Sequence, residues 1–354
     1  MINLKNLRNS LTPDRIIEIL KSIGGTEYRD TNDALIFKTI CHNVVEDDGS
    51  FKLYYYKKNK MFHCFTHCGE NFDIFELIEK RYQLLKKDYD FFKDIVLLVI
   101  GDSDYKEDFQ HNSTYQSSYN KYKTNKTQVN LNHIDPNILK VFSNYYAPEW
   151  LEDGISKQTM DIFNIKYSIP LNKIIIPHYD KDNYLIGIRG RALNEEDLII
   201  GKYIPIQLGD IIYSHPLGYN LYGLNMNKDN IRKKKMAFIF EAEKSSLQYE
   251  TMFGRENNIA VAACGSNISK YQFDLLNKAG AERIIICFDN EGKNWKEKEK
   301  YREKLISLCK KNSKNCLMGY LWDFHRRLGL QDSPTDRGKE VFEQLYKEGV
   351  VWIK

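Results

Sequence analysis

Three of the seven cysteines in this 354-residue chain crowd together beside histidines, as Cys41-His42 and then Cys64-Phe65-Thr66-His67-Cys68. Tetrahedral zinc takes four thiolate or imidazole ligands, and two close pairs separated by a hairpin-sized loop supply them. Five side chains compete for the four places: Cys41, His42, Cys64, His67 and Cys68. The favoured set is Cys41, His42, Cys64 and Cys68, because thiolates hold zinc more tightly than a spare imidazole. Gly69 fits a tight knuckle around a thiolate, and His63 reads as a residue of the hairpin. Lys52, Lys57, Lys58 and Lys60 alternate there with Phe51, Tyr54, Tyr55, Tyr56 and Phe62. Cations and flat rings on one hairpin suit a single-stranded nucleic acid.

A second chemistry-bearing set is acidic. Glu241 closes the apolar run AFIFE, Asp289 and Glu291 follow IIIC, Asp323 follows LMGYLW, and Asp332 and Asp336 lie in QDSPTDRG. Clustered carboxylates repel one another unless a divalent cation neutralises them. Oxygen-rich sites of this kind hold Mg²⁺ together with substrate phosphates, and two such ions support phosphoryl transfer.

Both sets need scaffolds. Thr12 as cap, Pro13 in first position and Ile16, Ile17, Ile19, Leu20 and Ile23 on one face predict a helix, stopped at Gly24-Gly25. SFKLYYY, KKNK and MFHCF predict a hairpin, and residues 71–98 an amphipathic segment. Residues 101–132, rich in Ser, Thr, Asn, Gln, Lys and Tyr, are expected to be a flexible linker. Helical segments at 135–146 and 156–163 then precede the strand-rich KIIIPHYD, YLIGIRGRAL and DLIIGKYIPI. From Met236, the apolar runs AFIFE, NIAVAAC, RIIICFD and CLMGYLWD alternate with helical stretches near 243–253, 268–279 and 295–312. That alternation indicates a buried, mostly parallel sheet, with functional side chains at the carboxyl ends of its strands.

Lys and Arg total 52 against 48 Asp and Glu, a net +4, which excludes a histone-like polycation but not a local basic groove. With 42% hydrophobic residues the chain can bury real cores. An odd cysteine count without a secretion signal argues against a disulfide scaffold and for a cytoplasmic protein. Cys264, Cys287, Cys309 and Cys316 lie in or beside apolar runs and read as small buried hydrophobes. The longest apolar run, Ile95 to Ile100, is far short of the roughly 20 residues that cross a bilayer.

These motifs, in this order, resemble the DnaG-type DNA primases of bacteria and phages. Residues 41–75 resemble the family's zinc-binding domain, GIRGRAL, GKYIP and NLYGLN its RNA-polymerase subdomain, and 236–340 its TOPRIM fold. The resemblance implies a multidomain α+β and α/β protein: a zinc domain over 1–100, a linker over 101–132, a polymerase subdomain over 133–235 and TOPRIM over 236–354. It implies Glu241, Asp289, Glu291 and Asp332 as catalytic, Mg²⁺- or Mn²⁺-binding carboxylates, with Asp336 assisting. Arg189, Arg191, Lys202 and Tyr203 fall where the family contacts nucleotide and template. The implied activity is synthesis of short RNA primers from NTPs on single-stranded DNA during replication, for a phage or mobile element. A replicative helicase is a further partner to consider, although the chain ends just past the TOPRIM region, which leaves no room for a helicase-binding domain.

Three departures mark this chain. Cys41 and His42 are adjacent and the second pair is Cys-x3-Cys; the acidic pair is Asp-x-Glu; and the Lys expected before LYG is absent, His215 standing in SHPLGYN. Two other classes compete: a TOPRIM nuclease or topoisomerase-like enzyme, and a catalytically decayed zinc-dependent ssDNA-binding protein.

Overall fold

Thr12 and Pro13 open a helix at Pro13–Ser22, the Thr12 hydroxyl accepting from the Arg15 N–H at 3.2 Å. The helix buries Ile16, Ile19 and Leu20. The structure, a computed structural model, describes residues 4–65, 68, 71–101, 131–194, 201–209, 211–312 and 316–353. His67 and nearly all of the expected linker lie outside them. The chain divides into two compact units, 1–130 and 131–354.

In the first unit, strands β1 (Tyr28–Asp30), β2 (Ala34–Lys38), β3 (Phe51–Tyr56), β4 (Met61–Cys64) and β5 (Asn71–Phe72) form one antiparallel sheet in sequence order. The β3–β4 hairpin is the expected one. Side chains alternate across a strand, so Tyr55 and Phe62 point into the core, fully buried with ring centroids 4.9 Å apart. Those two rings are unavailable to a nucleic acid; Phe51, Tyr54 and Tyr56 are only half-buried.

The amphipathic segment expected over 71–98 is interrupted. Asp73 and Glu76 form a capping box that opens the helix Ile74–Leu84. That helix ends before Lys87-Asp88-Tyr89-Asp90, which offers no apolar face, and a π-turn at Phe91–Val96 leads into Leu97–Ile100.

The second unit holds two large sheets. β6 (Lys166–Ser168), β7 (Lys173–Tyr179), β8 (Leu185–Ala192) and β9 (Tyr203–Pro205) are antiparallel neighbours. A small hairpin follows, β10 (Gln207–Leu208) with β11 (Ile211–Ile212). The helix expected over 135–146 is instead a 3-10 turn, Pro136–Val141, and a short helix, Pro148–Glu152, because each proline sets a new start.

β12 (Met236–Phe240), β13 (Ala260–Ala262), β14 (Arg283–Cys287), β15 (Leu317–Leu321) and β16 (Val350–Ile353) make the other sheet, in order β13-β12-β14-β15-β16. The first four are parallel and β16 is antiparallel to β15. Their near-continuous burial explains the apolar runs in sequence. From β12 the chain winds first to β13 on one side, then to β14 on the other. Such a reversal opens a crevice at the carboxyl ends of the strands.

Candidate metal centre and acidic cleft

Cys64 ends β4, Cys41 and His42 lie in the turn after β2, and Cys68 follows the hairpin. The fold brings the four donors together: His42 Nδ1 is 3.2 Å from the Cys41 Sγ, 3.6 Å from that of Cys64 and 3.5 Å from that of Cys68. Their donor atoms all lie within 4.8 Å of one another. Hydrogen bonds from Cys41 and Cys68 hold the Cys64 thiol far below its usual range, and the same contacts push Cys41 far above it. Crowded thiols beside an imidazole are the donor set of a site that takes a soft cation. His63 stays outside the cluster, its Nδ1 2.6 Å from the Asn71 Oδ1.

In the second unit, Phe240 of β12 pairs with Cys287 of β14. Glu241 therefore follows one strand and Asp289 the next, at neighbouring carboxyl ends. Glu241 Oε2 and Asp289 Oδ1 are buried with no hydrogen-bond partner. Burial, reinforced by the Asp289 charge, pushes the Glu241 carboxyl up to about 8. Burial, reinforced by Asp336 and Glu291, pushes Asp289 up to about 7, while Lys202 and Lys244 offset part of that rise.

Two of the remaining acids, Asp332 and Asp336, are spoken for. Asp332 accepts from Arg337 Nε at 2.6 Å and from the Gly329 N–H at 2.7 Å, both through one carboxylate oxygen. Asp336, one turn on, carries the charge that Asp289 senses, and it is bound by Lys244 at 2.8 Å and Gln248 at 3.0 Å. Lys244 and Gln248 were not legible as site residues, since they sit on the helix Glu243–Phe253 as ordinary polar positions.

The four residues expected to contact nucleotide and template separate into two groups. Lys202 faces the acids, and Arg191 packs 5.3 Å from the Tyr203 ring centroid. Arg189 is 9% exposed, and its guanidinium is committed to the buried Glu243 carboxylate and the Tyr203 carbonyl. It is an internal anchor rather than an open contact for nucleotide. Tyr203 lies under both arginines with its hydroxyl buried and unpartnered.

Burial alone would raise Glu243; Arg189 and a hydrogen bond from His178 at 3.1 Å outweigh it and hold the carboxyl low. His178, Glu243 and Cys264 have donor atoms close enough for a metal ion. Because Arg189 already neutralises Glu243, that nest needs no cation. Removing one partner of a buried ion pair costs about 3–5 kcal/mol, and replacing both by apolar groups costs far less. Arg189→Met is therefore expected to lower the urea midpoint sharply, and Arg189→Met with Glu243→Met to recover most of it. An unchanged midpoint in the single variant would contradict this anchoring.

Among the described residues no helix is long and apolar enough to cross a membrane. No family model matches the chain. It is 36% identical to the SPbeta prophage-derived uncharacterized protein YorJ of Bacillus subtilis, over 97% of this chain and 96% of that one. It is 26% identical to a DNA primase of Campylobacter jejuni over 50% of this chain, a stretch that spans only 28% of that enzyme. The solved zinc-binding and RNA-polymerase domains of the Aquifex aeolicus primase align with a TM-score of 0.40 at 18% identity, covering 100% of this chain and 87% of that one. The chain belongs to the family of the prophage protein YorJ, and it resembles the DnaG-type DNA primases.

Proposed function

We propose that the chain is a primase-type nucleotidyltransferase that builds short RNA primers on single-stranded DNA, serving a phage or mobile element. One observation carries the reading: Glu241 and Asp289, at adjacent strand ends beside the reversal of strand order, bury carboxylate oxygens that have no protein partner. Buried carboxylates left so costly fit a site that takes a divalent cation. The sequence relationship to primases supports the choice among cation-dependent chemistries.

In this reading Glu241, Asp289 and Glu291 would hold Mg²⁺ or Mn²⁺, and Asp332 joins them only by exchanging Arg337 for the cation. When bound, the cation lowers the pKa of an attacking hydroxyl and stabilises charge on the leaving oxygen. Lys202, Lys244 and Arg191 supply positive charge for a triphosphate, which these carboxylates alone would repel. The primer 3′-oxygen forms a bond to the α-phosphorus, the bond to pyrophosphate breaks, and the hydroxyl proton leaves to solvent. The zinc centre, held by Cys41, His42, Cys64 and Cys68, is structural and supports a hairpin whose outer rings and lysines contact template. The division of the second unit into a polymerase part over 133–235 and a TOPRIM part over 236–354 belongs to the same proposal.

The raised carboxyls set a pH dependence. Protons must leave before a cation binds, so Mn²⁺ affinity is expected to rise as pH passes through about 7 and about 8, and to level off above. The cation-free protein behaves oppositely: groups whose folded pKa is raised weaken folding progressively as pH climbs towards those values. Isothermal titration across pH tests the first effect, and a pH-independent Mn²⁺ affinity would count against this ligand set.

A further inference from the structure

Asp289 and Glu291 are followed at once by Trp295, which is 74% exposed, the most open large apolar side chain among the described residues. The loop that presents it is tightly held. Asn290 makes four hydrogen bonds to the 328–332 loop: its N–H to the Asp332 carbonyl and its carbonyl from the Gln331 N–H, each at 2.8 Å, and its amide to Gly329 at 2.8 Å and Leu328 at 3.2 Å. The Tyr301 hydroxyl donates to the Asp289 carbonyl at 2.9 Å. Asn294 caps the helix Trp295–Asn312 through the Glu297 N–H at 3.0 Å. A hydrogen-bonded backbone thus presents a bare indole six residues after Asp289.

An indole left in water forfeits a large share of the burial a tryptophan normally gains. The exposed cations of the same segment are Lys293, Lys296 and Lys300, and the Lys296 ammonium lies 5.8 Å from the ring centroid. The 324–330 loop, tied to Asn290 through Leu328 and Gly329, carries Phe324, 52% exposed, and exposed Arg326. Flat rings among cations favour a partner with both π-faces and negative charge. Stacked nucleobases on a phosphate backbone have that chemistry. An acidic peptide would use the lysines but leave the indole unsatisfied, and a lipid surface would call for a continuous apolar face.

We infer that Trp295 is a stacking platform for an unpaired nucleobase of the strand that enters the acidic cleft, with Lys293 and Lys296 gripping the adjacent phosphates. The inference rests on the nucleic-acid reading above and assigns it a contact point. Stacking is sequence-tolerant, because every base offers a π-face.

The test uses the full chain, an oligothymidylate, and an abasic oligomer of equal length. Trp295→Ala is expected to weaken oligothymidylate binding about tenfold, Trp295→Phe to stay within about threefold, and neither to alter abasic binding. Equal affinity of wild type and Trp295→Ala for oligothymidylate would overturn the platform, as would an equal loss on the abasic strand, since phosphate contact would then explain it. If wild-type protein bound neither oligomer, the nucleic-acid reading itself would fall and the platform with it.

Discussion

Glu241→Gln is expected to reduce primer synthesis by roughly 10³-fold or more, the scale of several kcal/mol that a well-held cation contributes to phosphoryl transfer. The same change is expected to leave the fold intact or stabilise it. Glu241 Oε2 has no hydrogen-bond partner to lose, and the substitution removes a buried charge that faces Asp289. At a pH above about 8, where the wild-type carboxyl is ionised, the thermal midpoint of the variant should equal or exceed that of the wild type. Asp289→Asn should act in the same direction for the same reason, with its carboxyl pushed up to about 7. Loss of activity together with a raised or unchanged midpoint is the signature of a carboxylate kept for its ligand. Retained activity, or inactivity that merely tracks unfolding, would sink the assignment.

The second large effect falls on the first unit. Structural zinc contributes about 10–16 kcal/mol of apparent folding free energy in small zinc domains. Here the cluster shares that task with an apolar core that includes Phe37, Tyr55, Phe62 and Phe75. Cys64→Ser is expected to abolish zinc binding and to open residues 4–101 to protease, while residues 131–353 stay resistant. Cys64 is the informative position, because it is fully buried at the end of β4. Metal analysis of anaerobically purified protein should give one zinc per wild-type chain and none per variant chain. A wild type without zinc, or a variant with unchanged protease resistance, would remove the structural role.

Much of this was legible in the sequence because burial writes itself as a pattern. β12, β14 and β15 sit inside a covered parallel sheet, so they read as unbroken apolar runs, and the acids after them read as strand-end residues. The Cys/His cluster was legible from its spacing, although spacing left His67 and Cys68 as rivals for one place. What stayed hidden depends on contacts without a period. Arg189 looked like an open basic residue of RGRAL, yet its partner Glu243 lies 54 residues away, and no local signal marks a buried ion pair. The resemblance implies Asp332 as a ligand and Asp336 as its helper, but nothing in QDSPTDRG shows that Arg337 pairs with the first and Lys244 with the second. The break after Leu84 was lost because apolar residues resume at Phe91 with a compatible phase. Likewise β16 is four residues long and only half-buried, too short to separate from the helix before it.

The measurement that bears most directly on the central claim is synthesis of labelled product from NTPs and Mg²⁺ on mixed-sequence single-stranded DNA, with Glu241→Gln in parallel. Short RNA products from wild-type protein alone are the predicted result. A cut template without product would instead favour the nuclease reading. Binding without either reaction, with zinc present and a helicase supplied, would favour the decayed ssDNA-binding protein and contradict the polymerase.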